Sequence, residues 1–371
     1  MKCLENGIFA RTTLKPLSSI FNLEQEKKTV KTLIENGEWF TVSGLRRTGK
    51  TTLVRSIINT LEVYPIYVNL WRISVENINL DFLLEEISKE VQRIAELGRL
   101  KELLKSIEKV SFLGVTISLK TQNQIILTNA LRQLCEKKKV VLVIDEAEEL
   151  IHDPHAFKYL AALHDDLAPK LSVVLLGSIV SMKKLLSSTL TSPLYGRVGT
   201  EIILKPFDEH NSRRLLKSGF EECNITVSED IIIEGAIRLG GFAGWLTSFG
   251  RLVTLAIKNG NLNPDIDEIL KELEEDSSKI IFGEIARMLY GKKRIKYYLK
   301  ILKFAAESGS ISVSDSAKII RKVPSTAITY LQQLVESGIM IKENGEYKII
   351  DPLVRRVALR SDFENEVKIR L

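Results

Sequence analysis

Residues 44–51 read Gly-Leu-Arg-Arg-Thr-Gly-Lys-Thr, a full match to G-x-x-x-x-G-K-[ST]. The glycines let the backbone approach closely enough for successive N–H groups to face phosphate oxygens. A helix starting at the lysine adds its positive N-terminal end. Gly44, Arg46, Arg47, Thr48, Gly49, Lys50, Thr51 and Thr52 are therefore the candidate cradle for a nucleoside triphosphate, ATP or ADP. Lys50 would reach the β- and γ-phosphates and the Thr51 hydroxyl would ligate Mg²⁺. The second half of such a site is a carboxylate at the end of another buried strand. Asp145 closes the run VVLVID and would complete the Mg²⁺ shell, usually through water. Glu146, directly after it, can orient or deprotonate an attacking water. Glu148 and Glu149, at the start of a helix, read as capping charges. Ser178 ends a further strand; it could meet the γ-phosphate or cap the next helix, and both readings stay open.

These residues need a parallel sheet to hold them. WFTVS (39–43), the glycine-rich turn, a helix over 50–62 and YPIYVNL (64–70) form a βαβ unit. VVLVID (140–145) and LSVVLLGS (171–178) are continuous apolar runs of the kind buried on both faces, and TEIIL (200–204) makes a fifth strand. Between them the spacing predicts helices over 80–107 and 121–139, with a small hairpin in VSFLGVTISLK (110–120). Helices alone follow Pro206, over 209–222, 228–239, 244–258 and 264–275. The expected fold class is α/β, a five-stranded parallel P-loop core over residues 1–206, then a helical lid over 207–290 and a winged helix over 291–371.

The last segment predicts three helices and a hairpin turning at Asn344-Gly345. Its third helix buries Ala327, Ile328, Leu331, Leu334 and Val335, and turns Ser325, Thr326, Thr329, Tyr330 and Gln333 outward. Of the net charge of +6, residues 291–371 carry sixteen Lys/Arg against nine Asp/Glu, a surplus of +7 that leaves −1 for the rest. An anionic partner, duplex DNA, fits residues 291–371, with Lys318, Arg321 and Lys322 close together. Glu343 and Glu346 on the hairpin suit a minor groove poorly, so docking of a protein partner stays open.

Cys3, Cys135 and Cys223 are too few and too widely spaced for a disulfide framework or a zinc site, and His152, His155, His164 and His210 form no ligand set. The longest apolar runs are too short for a bilayer, so the expectation is a cytoplasmic protein with no membrane partner. There is no N/T-K-x-D guanine signature and no LSGGQ-like run, which argues against GTPases and transporter ATPases.

In order along the chain, FNLEQE (21–26), GLRRTGKTT, VVLVIDEAEEL, LLGSIVSM, SPLYGRVGTEIILKPF and GGFAGWL resemble the archaeal ATPase family, a branch of the STAND class of AAA+-like P-loop NTPases. The resemblance implies a core with the phosphate-loop strand central, a helical lid, a C-terminal winged helix and Ser178 at the polar sensor position. It also implies that Arg197, in SPLYGR, reaches a γ-phosphate in its own chain or a neighbouring subunit, which makes oligomerisation an open expectation. A structural pairing of Arg197 with an acid such as Glu201 is the alternative. Leu23 replaces the family's usual arginine, and Ala243 a usual proline in a motif that packs near the adenine. An ATPase acting as a DNA-associated switch follows; the alternative is a nucleotide-locked regulator with little turnover.

Overall fold

A computed structural model of the chain describes residues 2–72, 77–97, 117–180, 182–183 and 193–371. By its contacts the chain divides into two units, one of Leu23–Gly44 and Lys50–Leu204, the other of Met1–Asn22, Leu45–Gly49 and Lys205–Leu371.

The first unit is a parallel sheet of β1 (Phe40–Gly44), β2 (Tyr64–Asn69), β3 (Val140–Asp145), β4 (Leu171–Gly177) and β5 (Thr200–Leu204), in the order β2-β3-β4-β1-β5. The phosphate-loop strand β1 is interior, but the middle place belongs to β4. Register aligns the carboxyl ends: Asn69 faces Asp145, Asp145 faces Leu176, and Gly177 faces Ser43. β1 and β4 are buried throughout and β3 in all but Asp145, as apolar runs covered on both faces must be. Around the sheet lie α2 (Glu24–Asn36), α3 (Lys50–Ile58), α4 (Leu80–Leu97), α5 (Ile117–Lys137) and α6 (Pro154–Leu167). Asp153 caps α6, accepting from His155 N at 2.9 Å, and Pro154 fits its first turn. Residues 117–120, expected in a hairpin, begin α5 instead; the rest of that hairpin, and the helix beyond Leu97, lie outside the described residues.

The second unit is mostly helical. A short N-terminal helix α1 (Lys2–Asn6) joins α7 (Glu209–Glu222), α8 (Glu229–Arg238), α9 (Ala243–Lys258) and α10 (Ile266–Leu289) around one apolar core. The helix expected to stop near 275 runs on to Leu289, because Ile281, Phe282, Ile285 and Leu289 continue its buried stripe. Cys3 and Cys223 form a disulfide with Cα atoms 5.3 Å apart. This corrects the expectation of no disulfide: the partners are 220 residues apart, and spacing cannot reveal a bond made by tertiary approach. Cys135 is buried and free.

The same core continues through α11 (Ile295–Ser308), α12 (Val313–Ile320), α13 (Pro324–Glu336), the antiparallel hairpin β6 (Met340–Glu343) and β7 (Glu346–Ile349), α14 (Pro352–Ala358) and α15 (Phe363–Ile369). Asn344 and Gly345 both have positive φ, 50° and 84°, the pair of conformations a two-residue hairpin turn needs. Tyr330, expected outward on α13, is buried and packs edge-on against Tyr297 and Tyr298, with ring centroids 5.6 and 4.7 Å away. Gln333, half-buried, accepts from the Tyr298 hydroxyl. The buried stripe is Ala327, Tyr330, Leu331 and Leu334, the i, i+3, i+4, i+7 face. Among the described residues no helix is long and apolar enough to cross a membrane.

Candidate functional site

At the carboxyl edge of the sheet, β1 ends at Gly44 and α3 begins at Lys50, whose Nζ donates to Gly44 O at 2.9 Å. One residue on, Thr51 Oγ1 donates to Asp145 Oδ2 at 2.8 Å. The first turn of α3 and the end of β3 are thus in direct contact through the two side chains read as metal ligands. Asp145 is held above the ordinary carboxylate range, mainly by burial and then by the neighbouring Glu146 charge; the Thr51 hydrogen bond and Lys50 oppose this. Glu146 adopts a left-handed backbone, φ 58°, and its N–H donates to Asp145 Oδ1 at 3.1 Å. That residue turns the chain from the strand into a 3₁₀ segment, Ala147–His152.

Ser178 follows β4 directly, so the register sets it between the ends of β3 and β1. Its N–H donates to Glu148 Oε1 at 2.9 Å. A Cβ on Gly177 would lie 2.3 Å from Glu148 Oε2 and 2.6 Å from Met182 Sδ. A glycine is therefore what admits the Glu148 carboxylate to the strand end. Glu148, read from sequence as a helix-capping charge, instead ties the segment after β3 to the end of β4. The available signal was the glycine closing an otherwise apolar strand.

Arg197 is not brought to this edge. Its Nε and Nη2 donate to Asp165 Oδ1 and Oδ2 at 2.9 and 2.7 Å, and Nη1 to Pro193 O at 2.7 Å. Arg197 precedes β5, and Gly199 N donates to Trp39 O, just ahead of β1, at 3.0 Å. The arginine therefore lies at the amino edge, separated from Gly44 by the length of a five-residue strand pairing, roughly 15 Å. Its acidic partner is Asp165 and not Glu201, which accepts from Ser43 Oγ at 2.8 Å. The Arg197 guanidinium and then His164 pull the Asp165 carboxyl down to about 2.

The tip of the loop, Leu45–Gly49, groups with the helical unit. Thr48, buried, donates to Leu45 O at 2.9 Å. Arg47 has φ 65° and Gly49 φ 96°. The Arg47 guanidinium meets Glu284 Oε2 at 2.7 Å and Asp351 Oδ2 at 3.5 Å, and lies 4.1 Å over the Trp245 ring. Arg46 Nη1 approaches Glu284 Oε1 at 3.9 Å. Thr52 is half-buried in the first turn of α3. The arginines were read only as members of the cradle; nothing local to the motif signals acids 237 and 304 residues further on. No group of three or more His, Cys, Asp or Glu suited to a metal occurs among the described residues.

A parallel sheet whose interior strand leads through this glycine-rich turn into a helix, with an acid from a nearby strand on the helix's first hydroxyl, defines a P-loop NTPase. The chain belongs to the family of ATPase domains found predominantly in Archaea, whose profile matches residues 20–242. Among solved structures it is similar to the Walker-type ATPase PABY2304 of Pyrococcus abyssi, with 26% identity over 95% of this chain and 99% of that one, and a TM-score of 0.75. The ORC2 protein of Aeropyrum pernix, in ADPNP and ADP complexes, shares the fold at 13% identity over 98% of both chains, TM-score 0.65. So does the ORC1 protein of Aeropyrum pernix in complex with DNA, at 15% identity over 98% of this chain and 97% of that one, TM-score 0.54. No curated protein matches the chain.

Proposed function

We propose that this protein binds ATP with Mg²⁺ at the carboxyl edge of its sheet, hydrolyses it, and uses the change of state as a switch on DNA. The observation that carries the reading is the Thr51–Asp145 hydrogen bond at 2.8 Å beside Lys50. Two oxygen donors in contact, one on the phosphate-binding helix and one on a strand end, suit a hard divalent cation that prefers oxygen and retains water. When bound there, Mg²⁺ would neutralise charge on the β- and γ-phosphates. The loop amides and Lys50 hold the phosphates, Thr51 and Asp145 hold the cation, and Glu146 orients the attacking water and takes its proton. Ser178, fixed through Glu148, offers a hydroxyl beside the phosphate. Arg197, at the far edge of its own sheet, acts on the nucleotide of a neighbouring subunit. The family, the Walker-type neighbour and the nucleotide complexes of a fold relative support nucleotide binding.

The DNA reading rests on residues 291–371 forming a winged helix. Its supports are the basic cluster of Lys318, Arg321 and Lys322, which lines a shallow groove with Ser314 and Pro324, and the exposed Ser325 and Thr329 on α13. Docking of a protein partner, with nucleotide locking a shape, draws on a different observation: Lys348 pairs with Glu343 at 3.0 Å across the hairpin, which cancels charge where a DNA wing needs it. ATP turnover measured with and without duplex DNA decides between them. Stimulation that disappears as salt rises and on deleting residues 291–371 supports the DNA switch; DNA-independent slow turnover with retained ADP supports the regulator.

A further inference from the structure

Arg47 is unusual in two ways at once. It is a non-glycine residue at φ 65° in the middle of the phosphate loop, a conformation that Cβ sterics disfavour. It is also held from several sides: by Glu284 on α10, by Asp351, and by the face of Trp245 on α9. Gly244 N adds a hydrogen bond to Arg47 O at 3.0 Å, and a Cβ on Gly244 would come within 3.1 Å of Arg47 Cβ. The clamp is itself braced. Trp245 Nε1 donates to both Asp351 oxygens at 2.8 and 2.9 Å, and Asp351 caps α14 by accepting from Leu353 N and Val354 N at 2.9 and 3.2 Å. The side chains of Arg47, Glu284 and Asp351 are only 13%, 15% and 11% exposed, so their attractions are weakly screened.

We infer that Glu284, Trp245 and Asp351 are positioning residues for the nucleotide site: by gripping the Arg47 guanidinium they keep the phosphate loop in its left-handed turn. Arg47 is then a tether and not a phosphate ligand. Nucleotide affinity becomes tied to the packing of α9, α10 and α14, which gives the C-terminal elements a route to the loop amides. The inference rests on the proposed nucleotide site and adds how that site is controlled. Released from the clamp, the loop spends most of its time in commoner backbone conformations. Apparent affinity falls by the fraction of competent loop, about five- to thirtyfold.

The test compares Glu284→Gln, Arg47→Ala and Arg47→Gly in the full chain, by hydrogen exchange of amides 45–49 without nucleotide and by ADP titration. Glycine adopts φ near +65° without a tether, which separates loop conformation from charge. The expected result is faster exchange, by about tenfold, in Glu284→Gln and Arg47→Ala, with ADP affinity lowered five- to thirtyfold in both. Arg47→Gly should bind ADP at least about fivefold more tightly than Arg47→Ala, and adding Glu284→Gln to it should change nothing further. Wild-type exchange and affinity in Glu284→Gln overturn the inference, as does an Arg47→Gly variant that binds as weakly as Arg47→Ala. If Glu284→Gln does not fold, the alanine and glycine variants alone carry the same comparison. If wild type binds no ADP, the proposed nucleotide site fails, while the exchange rates still decide whether the tether exists.

Discussion

Two aspartates of the sheet-bearing unit, Asp145 at the end of β3 and Asp165 in α6, show opposite behaviour. Asp145, at the carboxyl edge, is buried and held above its ordinary pKa, while Asp165, at the amino edge, is exposed and pulled down to about 2. Each has a cation in its surroundings, Lys50 and Arg197 respectively, so proximity to positive charge does not explain the difference. Desolvation decides it. At the carboxyl edge burial outweighs the help from Thr51 and Lys50; at the amino edge a bidentate arginine meets an acid that has lost little water. The buried edge is thus left with an unfavourable charge that a ligand can relieve, whereas the exposed pair is satisfied as it stands.

The largest expected effect tests whether the exposed edge has a catalytic role at all. Arg197→Ala should lower ATP turnover by about a thousandfold, with ATP affinity within twofold of wild type. Asp165→Asn, which breaks the same pair but keeps the guanidinium, should leave turnover within about threefold. Equal losses in the two variants would reduce Arg197 to a structural role. At the buried edge, Glu146→Gln should slow turnover by about a hundredfold without weakening ATP binding, measured by single-turnover kinetics and titration. Asp145→Asn should lower turnover and yet raise the Tm of the nucleotide-free chain by about 2 °C, because a folded pKa above the unfolded value means the carboxylate costs stability at neutral pH. A fall in Tm would show that Thr51 and Lys50 outweigh burial. The smallest effect is the pH response of the exposed pair. With a folded value of about 2 against about 3.9 unfolded, Asp165 favours the folded state above pH ~4 and loses that contribution as pH falls toward 2. A carboxyl NMR titration should find its midpoint near 2, shifting toward 4 in Arg197→Ala.

The contrast also explains what sequence could convey. Gly44 to Thr51 are adjacent in the chain, and Asp145 closes an apolar run, so composition and order identify both and place them at strand ends. β1, β3 and β4 were legible for the same reason: a strand buried on both faces announces itself in consecutive residues. Links made by folding left no such trace. Glu148 with Ser178, Arg197 with Asp165, Arg47 with Glu284 and Asp351, and Cys3 with Cys223 each join residues from separate elements. Tyr330 was misplaced because tyrosine serves equally as a polar tip or an apolar ring, and only the neighbouring Tyr297 and Tyr298 decide which. GGFAGWL was read as packing near a base; in the structure its Gly244 and Trp245 hold the loop arginine.

Calorimetric titration of the full chain with ATP in Mg²⁺, set beside Lys50→Ala, puts the nucleotide site itself at stake. Lys50 sits where the strand-end carbonyl of Gly44 holds its ammonium 2.9 Å away. The expected result is one site per chain, with affinity lost by at least about a hundredfold in the variant, as removal of a charge-assisted phosphate contact in a partly buried site requires. Equal heats from the two proteins would contradict a phosphate site at this edge.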